Sequence, residues 1–387
     1  MNYLSLPQAE LEAAGGICTA REIEQQPAVW ADIERLMTRE AGALRNFLAP
    51  LLERRDLRIV LTGAGTSSFV GECLAPALKR RTQRRVEAVS TTDLVGSPGA
   101  WLESAVPTLL VSFARSGNSP ESAAVLALTD IGVTDCHHLI FTCNADGNLY
   151  RQGQRQRNAQ VVLLPQQTND RGFAMTSSFT GMMLAAALAF DLLPHHPAAL
   201  GSFAAHVLDA GQSLISSLVR SGFERVVYLG TGEFKGLARE AALKMLELSD
   251  GNTVALAETP LGFRHGPKTI VNGKTLVVMF LCNDPYTRRY EMDLLRELRT
   301  DGIAARVVAL HAGNGSAASE TPTEGIAVPA AMGASNLALC FPYAVFAQTL
   351  AFRQSLILGL RPDTPNARGV VNRVVQGVSI YPWNPSQ

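Results

Sequence analysis

Leu57-Arg58-Ile59-Val60-Leu61-Thr62-Gly63-Ala64-Gly65-Thr66-Ser67-Ser68 runs from a short apolar, β-branched segment into a turn of glycine and hydroxyl residues. A segment with helical apolar spacing follows, from Phe69 to Arg80. Strand, small-residue turn and helix in that order aim backbone N–H groups and the positive end of a helix dipole at one point. The same order returns about one βαβ unit later. Thr108 to Phe113 reads as a buried strand, Arg115-Ser116-Gly117-Asn118-Ser119 as the turn, and a helix opens at Ser119. The hydroxyls add donors without adding charge. Two such turns at the carboxyl ends of neighbouring parallel strands make a small anion site, best suited to a phosphate monoester. Neither turn is a Walker loop, and Gly63, Gly65 and Ser68 break the dinucleotide-binding spacing. Glycine and serine that merely punctuate two βα turns are the plainer reading, and it weakens when two turns lie in register.

Outward from this stretch, strands and helices alternate. Val86–Val89, His138–Thr142 and Val161–Leu164 read as further strands, which predicts a parallel sheet with helices on both faces. The pattern then restarts. Arg225-Val226-Val227-Tyr228-Leu229-Gly230-Thr231-Gly232 echoes Arg58 to Gly65, and Thr275 to Phe280 echoes Thr108 to Phe113. The offset is 167 residues (225 − 58), one α/β domain's worth. Arg306 to Leu310 supplies a later strand of the second half. The helical stretch from Met182 to Arg220, broken by Pro194 and Pro197, bridges the halves. The expected division is an N-terminal arm with helices over 1–55, a first domain over 56–205 and a second over 206–387 with a C-terminal tail. Residues 1–20 lack periodicity and read as a loose arm. Thr19-Ala20-Arg21-Glu22 resembles a capping box, and a helix around Trp30 to Leu52 follows. The second half loses the phosphate chemistry: Cys282-Asn283-Asp284-Pro285 replaces the Ser-Gly-Asn-Ser turn, and Glu233 brings negative charge to the other.

Composition narrows the function. A chain of 387 residues suits two domains with real cores, and formal net charge is zero. No basic stripe marks a nucleic-acid binder; the run Lys79-Arg80-Arg81 with Arg84-Arg85 reads as a solvated helix end. The six cysteines show no C-x-x-C pair and no spacing typical of zinc, so no metal site is expected and a reducing compartment is. Met1 to Glu12 has no signal-peptide character, and the apolar run from Met182 to Leu193 closes before it could span a bilayer. The expectation is a soluble cytoplasmic protein without nucleic-acid or membrane partners.

Two clusters in the second half carry further chemistry. Glu240, Lys244 and Glu247 fall on one face of a helix that is otherwise mostly apolar. An exposed salt-bridge ladder is the common fate of that spacing. The apolar surroundings favour burial instead, where charges need partners. Shortly after comes Gly262-Phe263-Arg264-His265-Gly266-Pro267-Lys268. A histidine before Gly-Pro is poorly placed for core packing and well placed to enter a cleft, with a pKa suited to proton transfer.

These pieces resemble the sugar isomerase (SIS) domain proteins, specifically the double-SIS group that includes the isomerase half of glutamine:fructose-6-phosphate amidotransferase. Gly65-Thr66-Ser67, the Ser116-Gly117-x-Ser119 turn, Glu240-x-x-x-Lys244-x-x-Glu247 and His265-Gly266-Pro267 match that group's motifs in order. The chain is similar within it to the tagatose-6-phosphate ketose/aldose isomerase-type proteins regarded as galactosamine-6-phosphate deaminase/isomerases. Supporting stretches are Arg115-Ser116-Gly117-Asn118-Ser119-Pro120-Glu121-Ser122, Asp170 to Ser178 and Val371 to Val378. The resemblance implies two tandem SIS domains of flavodoxin-like α/β type.

It also implies roles. Gly65, Thr66, Ser67, Ser116, Asn118 and Ser119 would hold the phosphate, with Arg115 and Thr176 near the sugar. Glu247 matches the proton-shuttling carboxylate, His265 the ring-opening histidine, and Glu240 and Lys244 a supporting pair. In the amidotransferase the histidine comes from the neighbouring subunit, which implies a homodimer with shared sites; the sequence does not distinguish a dimer from a tetramer. Two departures stand out. Ala114-Arg115 replaces a serine-containing element, and Arg373 lies near the place of the amidotransferase's terminal lysine. The 57 residues before Arg58 are too few for a glutaminase domain, so nitrogen chemistry is expected to run toward ammonia release. No metal or nicotinamide is needed. The implied activity is conversion of galactosamine 6-phosphate, or glucosamine 6-phosphate, to a ketose 6-phosphate and ammonia. Ketose/aldose isomerisation without deamination, and a non-catalytic sugar-phosphate sensor, stay as alternatives.

Overall fold

The computed structural model describes residues 1–193, 197–313, 324–328, 331, 333–375 and 377–384. Its twelve strands are β1 (Asn2–Tyr3), β2 (Leu6–Pro7), β3 (Arg58–Thr62), β4 (Arg85–Ala88), β5 (Thr108–Ala114), β6 (Cys136–Thr142), β7 (Ala159–Leu163), β8 (Arg225–Gly230), β9 (Val254–Glu258), β10 (Thr275–Phe280), β11 (Arg306–Ala312) and β12 (Gly325–Val328). β1 and β2 form a small antiparallel hairpin, followed by a helix over Gln8–Ala13, where the sequence suggested a loose arm.

Contacts divide the chain into two compact units. The first gathers Val29–Asp170, Ser177–Leu192 and Gly369–Gln387; the second gathers Met1–Ala28, Arg171–Thr176 and Leu193–Arg368. In the first, five parallel strands run in the order β4-β3-β5-β6-β7. Every residue of β3 and β5 is buried, as expected of central parallel strands covered on both faces. Val60, Leu110 and Ile140 pack with Val125, Leu126 and Leu149 on one side. The helix Ser177–Ala189, buried from Ser177 through Ala187, packs against the helix Thr66–Thr82. Its Thr180 Oγ1 accepts a hydrogen bond from Trp30 Nε1 at 3.0 Å.

The second unit repeats the plan. Its five parallel strands run β9-β8-β10-β11-β12, the same topological order. The duplication extends to atomic detail. Gly63 and Gly230 each close a first strand where an added Cβ would strike the following helix, at Ser67 and Phe234 respectively. Gly65 (φ 56°) and Gly232 (φ 60°) each precede that helix in the left-handed region, where a side chain would be strained. The helix Asn336–Ile357 packs against Pro197–Arg220 and Glu233–Leu248. No described helix is long and apolar enough to cross a membrane.

Several local expectations need correction. The edge strands β9 and β12 carry no run of alternating β-branched residues and were not legible. The stretch from Met182 to Arg220 is helical and interrupted as expected, falling in the helices Ser177–Ala189 and Pro197–Arg220, with Pro194 outside the described residues. Thr19 is not an N-cap. The helix spans Ile17–Glu24 with Gly16 at its cap, and Asp363 serves its first turn from a distance. The Asp363 carboxylate accepts from Cys18 N (3.0 Å), Thr19 N (2.8 Å) and Thr19 Oγ1 (2.7 Å). Glu22 faces the loop at Arg171 and Gly172, whose amides donate to its carboxylate.

Candidate functional site

In the first unit the strand order reverses between β3 and β5, which pair in register with Thr62 opposite Ser112. Ligands of open α/β sheets bind in the crevice outside the carboxyl ends of strands at such a switch point. Both hydroxyl-rich turns leave from there. After β3, Gly65 opens the helix Thr66–Thr82 without a side-chain cap, and Thr66 and Ser67 are both buried. No hydrogen bond ties the Thr66 or Ser67 hydroxyl to another described residue, so both donors remain for a ligand at a helix N-terminus.

The turn after β5 is held more tightly. Gly117 adopts φ 63°, and Ser119 caps the helix Pro120–Gly132 by accepting from Ser122 N at 3.2 Å. Asn144 Nδ2 donates to the Ser116 carbonyl at 2.9 Å, and Asn118 Oδ1 accepts from Asn148 N at 3.0 Å. Among the described residues Ser116 Oγ accepts only a long bond from Asn118 N, 3.3 Å. The Arg115 side chain is buried and donates from Nη2 to the carbonyl of Arg373 at 2.7 Å. Arg373 in turn donates through Nε to the Asp170 carbonyl (3.1 Å) and through Nη2 to Asn169 Oδ1 (3.1 Å). Gly65, Thr66, Ser67, Arg115, Ser116, Asn118, Ser119 and Arg373 thus belong to one unit.

The other predicted residues belong to the second unit. The helix Glu233–Leu248 carries Glu240, Lys244 and Glu247, and its burial rejects the exposed ladder. Lys244 is fully buried and Glu240 nearly so, while the Glu247 side chain keeps 22% of its exposure. The ammonium of Lys244 pairs with Glu247 Oε2 and lies 3.7 Å from Glu240 Oε1. Such a trio fixes the Glu247 carboxylate at the point where the face meets solvent. His265 follows the short helix Pro260–Phe263 and is exposed; its amide donates to the Gly262 carbonyl at 2.9 Å. Among the described residues no hydrogen bond joins its ring to Glu247. Thr176 is fully buried, and its carbonyl accepts from Gln348 Nε2 at 3.4 Å.

At the corresponding switch point of the second unit the protein uses its own groups. Glu291, with no exposure, accepts from Cys282 N at 2.8 Å, and Arg288 donates to the Cys282 carbonyl at 3.1 Å. Burial pushes the Glu291 carboxyl above the usual carboxylate range, against the opposing hydrogen bonds from Cys282. Asp284 caps the helix Pro285–Asp301 as Ser119 caps its own, by accepting from Thr287 N at 2.8 Å. An acid here repels an anion, so the two crevices have different chemistry.

Asp170 did not stand out in the sequence as a site residue. It accepts from Ser177 N (3.0 Å), Ser178 N (2.9 Å) and Ser178 Oγ (2.5 Å), capping a helix from seven residues away while its carbonyl holds Arg373. Local capping rules look three residues ahead and pass over it. The only signal was its place in the Asp-Arg-Gly stretch.

The chain matches the SIS domain model twice, over residues 51–192 and 221–358. It is 46% identical to the D-galactosamine-6-phosphate deaminase AgaS of Escherichia coli O157:H7, over 96% of this chain and 97% of that one. The crystal structure of tagatose-6-phosphate ketose/aldose isomerase from Escherichia coli superposes with a TM-score of 0.86 at 42% identity, covering 96% of this chain and 98% of that chain. A Clostridium novyi NT crystal structure gives 0.93 at 38% identity, covering 99% and 100%. With two matched segments, two sheets of one topology and the hydroxyl turns at the first switch point, the chain belongs to the SIS domain family.

Proposed function

We propose that this chain deaminates and isomerises a 2-amino-2-deoxyhexose 6-phosphate, galactosamine 6-phosphate before others, to the ketose 6-phosphate and ammonia. The observation that carries it is the pairing of two chemistries in one chain. One is a Ser/Thr cradle with a buried arginine at a switch point; the other is a half-buried Glu247 carboxylate held by Lys244. The names of relatives at 46% identity support the substrate class.

In this reading Thr66, Ser67, Ser116 and the turn amides hold the phosphate and leave C1 and C2 to the acid–base groups. His265 moves the proton of the C1 hydroxyl to the ring oxygen, which opens the sugar. Glu247 then moves the C2 proton to C1 while a proton passes from the amino nitrogen to the C1 oxygen, converting the amino aldehyde to a ketose imine. Water adds to the imine carbon and ammonia leaves, so the step is hydrolytic. The exposure of His265 supports a homodimer in which each imidazole serves the neighbouring copy's sugar.

The test is a steady-state panel of galactosamine 6-phosphate, glucosamine 6-phosphate and tagatose 6-phosphate, with ammonia and ketose read separately. Glu247→Gln should lower kcat by about 10²- to 10⁴-fold, the range for one positioned acid–base group, while phosphosugar binding persists. Isomerisation without ammonia release would favour the plain ketose/aldose reading. Undiminished turnover in the variant removes Glu247 from the mechanism.

A further inference from the structure

At the amino end of the first sheet, opposite the hydroxyl turns, three metal-ligating side chains meet. Cys136 and His138 are two apart in β6 and so share a face, and Asp130 reaches them from the last turn of the helix Pro120–Gly132. His138 Nε2 lies 2.7 Å from Asp130 Oδ1 and 3.7 Å from Cys136 Sγ. One ligand atom from each residue falls within 4.8 Å of the others. Cys136 and His138 are buried, and Asp130 is exposed.

We propose that Asp130, Cys136 and His138 form a binding site for a thiophilic divalent cation, Zn²⁺ first among them, separate from the sugar site. Mixed sulfur, imidazole and carboxylate donors suit Zn²⁺ in a tetrahedral arrangement. Zinc–sulfur and zinc–nitrogen bonds at a tetrahedral angle put the two donors about 3.6 Å apart, close to the 3.7 Å between Cys136 Sγ and His138 Nε2. The Asp130 oxygen must retreat from the imidazole by about 0.6 Å for the same geometry. As the exposed member on a helix end it can do so.

Neighbours prepare the carboxylate. Gln156 Nε2 donates to Asp130 Oδ2 at 3.1 Å and Asn158 Nδ2 lies 3.4 Å from Oδ1, the kind of outer hydrogen bonding that orients metal ligands. Gln156 Oε1 is buried without a hydrogen-bond partner, which offers a neutral fourth donor; water is the alternative. Without metal, burial and then the Asp130 and Asp135 carboxylates keep the Cys136 thiol protonated. On binding, the thiol proton leaves to solvent, and the imidazole ligates through Nε2 with its proton on Nδ1. Thiolate and carboxylate then neutralise the cation, so the filled site carries no net charge. A Cys-x-His pair on a strand, completed by an aspartate from the preceding helix, lies outside the spacings by which zinc sites are read from sequence.

Titration of the full-length protein with Co²⁺ tests this. A near-ultraviolet thiolate-to-cobalt charge-transfer band saturating at one equivalent per chain, and displaced by Zn²⁺, is expected. Cys136→Ser should abolish the band, and Asp130→Asn, at an exposed position, should weaken binding by about tenfold or more. Ser116→Ala with Ser119→Ala should leave it unchanged, which keeps the outcome independent of the sugar-phosphate reading. No saturable band in the wild type, or a band that survives in Cys136→Ser, overturns the proposal and leaves a hydrogen-bonded buried histidine beside an inert thiol.

Discussion

The side chain of Arg115, on the turn after β5, donates to the main-chain carbonyl of Arg373 at 2.7 Å. A segment 258 residues further along the chain therefore helps to position the buried guanidinium.

Arg373→Ala removes the donors to Asn169 and Asp170 and frees the segment that carries the acceptor for Arg115. Hydrogen bonds from a charged group contribute about 1.5–3 kcal/mol, so thermal stability should fall measurably. The KM for a 6-phosphate sugar should rise while kcat is largely kept. Lysine lacks the planar fork and should not restore either quantity. Unaltered KM and melting temperature would detach Arg373 from the cradle.

Substitutions at Ser116 and Ser119 are expected to separate ligand binding from folding. Ser119 caps a helix, and replacing such a cap by alanine costs about 1 kcal/mol. Among the described residues Ser116 accepts only a long bond from Asn118. Urea unfolding should therefore show a lower midpoint with unchanged slope for Ser119→Ala and little shift for Ser116→Ala. Both should raise KM. Equal midpoints would mean that the cap is not what Ser119 contributes.

Lys244 is buried between two carboxylates. Removing one member of a buried ion-pair set costs about 3–5 kcal/mol, because the remaining charge stays unpaired. Lys244→Ala should be destabilised on that scale, and adding Glu240→Gln should recover part of the loss. Chemical denaturation of the single and double variants reads the difference. A double variant no more stable than the single would show that Glu240 is not the stranded charge.

Glu291 gives a pH prediction with a definite sign. Burial raises its folded pKa above the ordinary 4.5, so between the two values the native state binds more protons than the unfolded chain. Its contribution is most favourable below the unfolded pKa and is lost as pH rises through the folded one. Glu291→Gln keeps an oxygen for Cys282 N–H and removes that downward slope. Melting temperatures from pH 4 upward should fall less in the variant than in the wild type; parallel curves would contradict the assignment.

Much of the fold could be read from residues close in sequence. The buried runs of β3, β5, β8 and β10 are unbroken and apolar, and the turns after β3 and β8 repeat glycines with the same steric requirement. The 167-residue offset (225 − 58) between the halves follows from these alone. What escaped depends on distant partners. Thr19 and Glu22 satisfy a local capping pattern, yet Asp363 and the loop at Arg171 take their polar groups. Asp170 and Asn169 hold Arg373 across more than two hundred residues, and nothing in either stretch announces the other. Likewise, Glu240-Lys244-Glu247 spacing defines a helix face, but only the packed helix tells burial from exposure.

The three-segment make-up of the first unit has a bearing on biosynthesis. A ribosome delivers Arg115 long before the stretch whose carbonyl receives its Nη2 hydrogen bond, so the earlier-made lobe waits for that contact while the rest is translated. Completion of the turn after β5 is thereby tied to arrival of the tail, and a nascent fragment halted at Arg368 would carry both hydroxyl turns without the contact between Arg115 and Arg373.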